Sequence, residues 1–363
     1  MLTKSPLFLL LAVALTAPIL AQQQTAISPA NRPVPISQTE LIKRLTTSVD
    51  SLARLGQFSG VVVLAKDGAP VYQSAHGFAD REHAIANNLQ TAFNLGSINK
   101  VFTQIAILQL AAAGKLDLDS TLAKYWPDYP NQEVARRITI RQLMRHTSGI
   151  GGNIFAPPSG GKRNDIRRLQ DYLPLFVNEP LQFEPGTKNS YSNAGYVVLG
   201  LLVERLSGQD YYSYVREHIF APAGMTRTGS FAVDSLPPNT AIGYTRGGED
   251  APPSAPVQPN SQELPGRGSS AGGGYSTSED MLKFLKALRE HRIANGLPAG
   301  LGIAGGSGGM NAVVEGALPG GYDLVVLGNL DPPAAERVAR MTRDWLGVVD
   351  DRGPGRVARP PRR

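Results

Sequence analysis

The chain has 363 residues, 42% of them hydrophobic, no cysteine and a formal net charge of +6 at pH 7. Without cysteine there is neither a disulfide framework nor a lipid-modified cysteine anchor. The mild basic excess is spread out except in a tail carrying Arg352, Arg356, Arg359, Arg362 and Arg363 among Pro and Gly. That is the composition of a disordered end rather than of a nucleic-acid reader, so no nucleic-acid partner is expected. High Gly (39) and Pro (28) contents suit a loop-rich enzyme better than a helical bundle or repeat protein.

In chain order, Lys4, an apolar run from Leu7 to Leu15 and Ala17-Pro18-Ile19-Leu20-Ala21 precede Gln22-Gln23-Gln24. This reads as a secretory signal peptide over 1–21, cleaved after Ala21, and implies a secreted or periplasmic protein. The run is too short for a permanent membrane span, and no later segment approaches the required length. Residues 22–37 form a polar leader. From Glu40 to Leu55 apolar residues recur at helical spacing (Leu41, Ile42, Leu45, Val49, Leu52). Two β-rich runs, 60–65 and 71–75, flank Lys66-Asp67-Gly68-Ala69 and predict a hairpin.

Ser97 and Lys100 open an apolar run (Ile98, Val101, Phe102, Ile105, Ala106, Leu108, Leu110) that stops at Gly114. The run is apolar on almost every side, which predicts a helix buried all round. At i and i+3 the lysine amine reaches the serine hydroxyl. The helix start and burial both disfavour the protonated amine, and a serine beside a neutral lysine is an activated nucleophile. The competing reading makes Ser97 an N-cap and Lys100 a snorkelling surface residue. A second S-x-x-K match, Ser159 and Lys162, lies in Ala-Pro-Pro-Ser-Gly-Gly-Lys and reads as a surface loop.

Further along, helices are expected over Ile138–His146, Tyr191–Leu206 and from about Thr277 to Leu288, with long loops at 151–165 and 247–268. Residues 311–316 and 322–328 read as strands joined by Leu318-Pro319-Gly320-Gly321, and a helix follows over 334–346. Strands at both ends with helices between predict an α/β (α+β) fold: one antiparallel sheet built from both chain ends, flanked by helices, with an inserted, mainly helical subdomain.

Four segments taken together resemble the serine β-lactamase and penicillin-binding-protein superfamily, in its class C β-lactamase-like branch of esterases and D-amino-acid peptidases. They are Phe93-Asn94-Leu95-Gly96-Ser97-Ile98-Asn99-Lys100, His146-Thr147-Ser148-Gly149, Tyr191-Ser192-Asn193 behind Glu184-Pro185-Gly186, and Ala271-Gly272-Gly273-Gly274-Tyr275-Ser276. Tyr129-Pro130-Asn131 also fits Tyr-x-Asn and reads as a loop. The resemblance covers roughly residues 38–347, implying one hydrolase domain there and an Arg/Pro/Gly-rich tail over 348–363. It implies that Ser97 forms an acyl-enzyme with Lys100 as base or proton relay. Tyr191 would share the proton transfer, as phenolate or as donor to the leaving group. Asn193 would hold a substrate oxygen and orient Lys100. Ester, amide or peptidoglycan-like substrates are implied, with no cofactor and no metal; no metal-ligand spacing is present either.

The third motif departs from the pattern. Where the family usually carries Lys-Thr-Gly or His-x-Gly, this chain reads Gly302-Ile303-Ala304-Gly305-Gly306-Ser307-Gly308-Gly309. Ile303 takes the Lys/His position and Gly305 keeps the glycine, while the N–H of Gly306 is expected beside that of Ser97 as an oxyanion donor. Loss of the basic side chain disfavours carboxylate-bearing substrates, β-lactams included, relative to neutral esters or amides. Arg267 is the candidate replacement cation, against a plain surface arginine. The G-x-S-x-G reading of residues 305–309 fails because no histidine follows it. The rival from another class is a weak or inactive homologue that binds cell-wall peptide or a protein partner through the same cleft.

Overall fold

The computed structural model describes residues 36–247, 251–252, 254–294 and 301–347. The expected signal peptide, nearly all of the leader and the basic tail lie outside the described residues. Five longer helices are α1 (Gln38–Arg54), α2 (Asn99–Ala112), α3 (Asn193–Ser207), α4 (Ser278–Arg289) and α5 (Ala334–Trp345). The strands of the main sheet are β1 (Gly60–Lys66), β2 (Ala69–His76), β3 (Gly302–Ser307), β4 (Met310–Leu318) and β5 (Tyr322–Gly328).

The hairpin between β1 and β2 turns on Asp67 (φ 51°) and Gly68 (φ 82°), the left-handed pair that a two-residue turn requires. The sheet order is β2-β1-β5-β4-β3. The β1 and β5 strands pair antiparallel from Gly60↔Gly328 to Lys66↔Tyr322, so the two chain ends share one sheet, as expected from sequence. Alternation along the strands divides the core. Val62, Leu64, Val313, Leu324 and Val326 pack against Leu41, Leu45 and Val49 of α1 and Val338 and Ala339 of α5. Their neighbours Val61, Val63, Ala312, Val314, Val325 and Leu327 join the larger core that includes α2, α3 and α4. Leu41, Leu45 and Val49 are fully buried, each worth about 1.5–3 kcal/mol of transfer free energy.

Between β2 and β3 lie α2 to α4 and several short helices, the helical insertion. Helix α2 runs through its centre: Lys100, Val101, Phe102, Thr103, Ile105, Ala106, Ile107 and Leu110 are all buried. Phe102 meets Phe220 and Phe284 edge-on. Two expected helices are shorter than the sequence suggested. The first contracts to Ile140–Met144, capped by Thr139 and Gln142, and His146 beyond it takes a left-handed φ of 58°. The other starts at Asn193 because the Ser192 hydroxyl accepts from Gly195 N at 3.0 Å, leaving Tyr191 in the preceding segment. The glycine-rich 302–307 run, read only as a motif, is the edge strand β3.

Candidate active site

Ser97 lies in a 3-10 turn, Gly96–Ile98, that feeds directly into α2. It does not cap the helix, and Lys100 is 6% exposed, so neither half of the bland reading describes them. Gly96 has a φ of 52°, and a Cβ there would come within 2.9 Å of Gly306 N. A Cβ on Gly305 would stand 2.1 Å from Leu95 O and 2.7 Å from Ser97 N. Only glycine permits the edge strand to press this closely on the turn that carries the serine.

Lys100 Nζ lies 3.2 Å from Ser97 Oγ, donates to Asn193 Oδ1 at 2.7 Å and donates to the carbonyl of Ala271. Burial holds its pKa well below the usual 10.5. The rings of Tyr191 and Tyr196 face the same nitrogen, with centroids at 4.7 and 5.5 Å. Ring faces stabilise a cation by about 0.5–2 kcal/mol, so a proton arriving on this amine is partly accommodated. The Tyr191 hydroxyl donates to Ser97 Oγ at 2.6 Å. Burial raises the Tyr191 pKa and the bond to Ser97 opposes that rise, so the phenol is neutral at pH 7. Tyr191 as a whole residue is 45% exposed, on the open side of the site.

His146 holds this arrangement from behind. Its carbonyl accepts from Ser190 N at 2.9 Å, and its Nδ1 accepts from Ser192 N at 3.1 Å. The ring lies against those of Tyr191 and Tyr196, tilted by 30° and 33°, with centroids at 4.6 and 5.0 Å. Burial, reinforced by Lys100, pushes its pKa down to about 4. The imidazole is therefore neutral at pH 7, with its proton on Nε2. Sequence reasoning had the His-Thr-Ser-Gly segment but no role for the histidine, because only the fold brings residue 146 against 191–193.

The predicted residues Ser97, Lys100, Tyr191 and Asn193 thus meet at one point, with Gly305 and Gly306 against the serine turn. Ile303 and Gly305 pair with Val314 and Ala312, so both face the side of the sheet that carries the serine. Ile303 is partly buried there against the core.

Arg267 is not brought into the site. Its guanidinium lies over the Tyr212 ring at 3.6 Å, and its Nε donates to Ser230 O at 2.7 Å. It faces a separate surface hollow with Arg168, Glu204 and Asp210. The aromatic face and the backbone carbonyl hold the side chain there, so it supplies no cation to the serine cleft. Ser159 and Lys162 are exposed in their loop, and Tyr129 is a core residue whose neighbour Asn131 caps the Gln132–Arg137 helix. Among the described residues no group of three His, Asp or Glu side chains could hold a metal ion.

The β-lactamase family pattern matches residues 47–343. The chain belongs to the β-lactamase family. Among its relatives, PbpX of Bacillus subtilis (strain 168) is 34% identical over 236 residues, covering 65% of this chain and 56% of the relative. Penicillin-binding protein 4* of the same strain is 35% identical over 191 residues, covering 51% of this chain and 41% of the relative. The chain thus spans about half the length of the curated relatives it matches. The crystal structure of a penicillin-binding protein from Bacillus halodurans superposes with a TM-score of 0.69 at 31% identity, covering 81% of this chain and 98% of that one. A D-amino acid amidase from Ochrobactrum anthropi SV3 shares the fold at 22% identity and a TM-score of 0.69, covering 85% of this chain and 98% of the amidase. The β-lactamase-like fold predicted from sequence is the fold observed.

Proposed function

We propose that this chain is a serine hydrolase that cleaves neutral ester or amide bonds through an acyl-enzyme on Ser97, outside the cytoplasm. The observation that carries the reading is the polarity of the contacts around Lys100. Asn193 Oδ1 and Ala271 O can only accept, so a neutral amine spends its two N–H groups on them and turns its lone pair to Ser97 Oγ. Ser97 then donates to Lys100 while accepting from Tyr191. Lys100 is the base in this scheme, and Tyr191 is the donor rather than a phenolate.

The Ser97 proton passes to Lys100 as Oγ attacks the carbonyl carbon. The N–H groups of Ser97 and Gly306 receive the developing oxyanion. Tyr191 protonates the leaving oxygen or nitrogen, and the proton held by Lys100 restores the phenol. Water then attacks the acyl carbon by the reverse sequence. Asn193 keeps its Nδ2 for a substrate oxygen while its Oδ1 steadies Lys100.

Ile303 in place of a basic residue, and Arg267 committed to Tyr212, favour substrates without a carboxylate at that position. Fold neighbours described as an amidase and as EstCE1, a hydrolase with promiscuous acyltransferase activity, agree with this chemistry. The signal-peptide pattern of residues 1–21 supports export. No helix among the described residues is long and apolar enough to cross a membrane. A pure binding protein would have no use for a serine hydroxyl held between a neutral amine and a phenol. Labelling with a fluorophosphonate probe tests the proposal: the purified protein should label and Ser97→Ala should not. No labelling, or equal labelling of both, refutes the covalent mechanism.

A further inference from the structure

Asn311 is fully buried on β4, opposite Gly306 of β3, and takes no part in the chemistry above. Both ends of its amide are committed. Its Oδ1 accepts from Ala335 N at 2.6 Å, in the first turn of α5, and its Nδ2 donates to Gly305 O at 3.2 Å. The backbone N–H of Ala335 can only donate, so the amide cannot be reversed without losing both bonds.

The bond to Gly305 O has a consequence one atom further along. Carbonyl and N–H of a trans peptide point in opposite directions, so drawing Gly305 O towards Asn311 turns Gly306 N–H the other way. The other way is the free edge of the sheet, where the serine turn lies: Gly306 N is the atom that a Cβ on Gly96 would meet at 2.9 Å. Strand pairing of Gly305 with Ala312 already holds this peptide on its β4 side, but glycine at both 305 and 306 makes it easy to turn, so a second grip matters. Pro332 packs over Gly306, and Asp331 Oδ1 accepts from Gly309 N at 2.7 Å, holding the hairpin turn but not the peptide's rotation.

We infer that Asn311 is a positioning residue for the oxyanion hole, clamping the Gly305–Gly306 peptide to the start of α5 so that Gly306 N–H is aimed at the developing oxyanion. This rests on the acyl-enzyme reading. The clamp exists to serve a transition state, so its loss should spare ground-state binding.

The test compares wild type, Asn311→Ala and Ala335→Pro for turnover of a p-nitrophenyl ester, for the rate of fluorophosphonate labelling, and for folding by circular dichroism. Ala335→Pro removes the N–H that anchors Oδ1 at a first-turn position where proline is tolerated; Ala335 is itself fully buried, so the folding of this variant is checked in the same way. Asn311→Ala should lower both kcat and the labelling rate about tenfold or more, with KM within about twofold. Ala335→Pro should lower kcat by about threefold or more, and it decides the matter if Asn311→Ala does not fold. A merely structural Asn311 would lower Tm yet leave kcat of the folded protein unchanged. Unchanged kcat in a folded Asn311→Ala, or in Ala335→Pro, overturns the clamp while the acyl-enzyme reading stands. A wild-type chain that neither labels nor turns over ester removes both.

Discussion

Acidification should unlock the Tyr191 segment through His146, and the size of the effect follows from its surroundings. The imidazole accepts from Ser192 N and faces Lys100, Tyr191 and Tyr196, none of which offers a negative charge to a protonated ring. Its pKa is about 4 in the folded protein against 6.5 when exposed. The unfolded chain therefore binds the proton first as pH falls. The sign follows: this contribution to stability is intact above pH 6.5 and is lost progressively down to pH 4. At about 1.36 kcal/mol per pKa unit the loss is about 3 kcal/mol. His146→Gln keeps an acceptor near Ser192 N and removes the titration. Urea unfolding of both proteins at intervals from pH 7 to 4 isolates the histidine, since the remaining groups are common to both. The difference in unfolding free energy should narrow, in favour of the variant, by about 3 kcal/mol over that range. Parallel stability curves would show that the ring is not held neutral by its neighbours.

Two further outcomes follow from the third motif. Gly305→Ala places a methyl 2.1 Å from Leu95 O and 2.7 Å from Ser97 N, so β3 must withdraw from the serine turn. Thermal unfolding should show a loss of about 1–3 kcal/mol, and ester turnover should fall at least tenfold; a variant with normal activity would mean that β3 does not border the reacting atoms. Ile303→Lys restores a cation on the face of β3 that carries Gly305. It should raise kcat/KM for a cephalosporin relative to a p-nitrophenyl ester, and an unchanged ratio would mean that residue 303 does not face the substrate.

Elements with a period were legible in the sequence. Helix α1, the β1–β2 hairpin, β5 and α5 lie within a few residues of their expected bounds. The buried helix behind Ser97 was legible because its apolar residues leave no polar face. Strand β3 was not, since five of the eight residues from 302 to 309 are glycines with no strand preference of their own. It is a strand because β4 pairs with it. The proposed catalytic set was legible as a pattern of motifs, but the groups packed around it were not. His146, Ala271 O and Asn311 make contacts between residues far apart in sequence, and Ala271 contributes only a carbonyl, which no side-chain motif records. Arg267 shows the converse: a glycine-flanked arginine near a motif looked available, and an aromatic ring elsewhere had already taken it.

The pairing of β1 with β5 joins distant parts of the chain, and it also sets when the proposed chemistry could begin. Ser97 belongs to the first third of the chain, whereas Gly306 and the three strands that carry it belong to the last fifth. A chain still being made holds the serine and the lysine but not the strand that carries the proposed second N–H donor. Contacts of such long range form late and slowly. On the proposed mechanism the reaction centre is incomplete until β3 to β5 have folded back onto β1, and turnover would report that this pairing has formed.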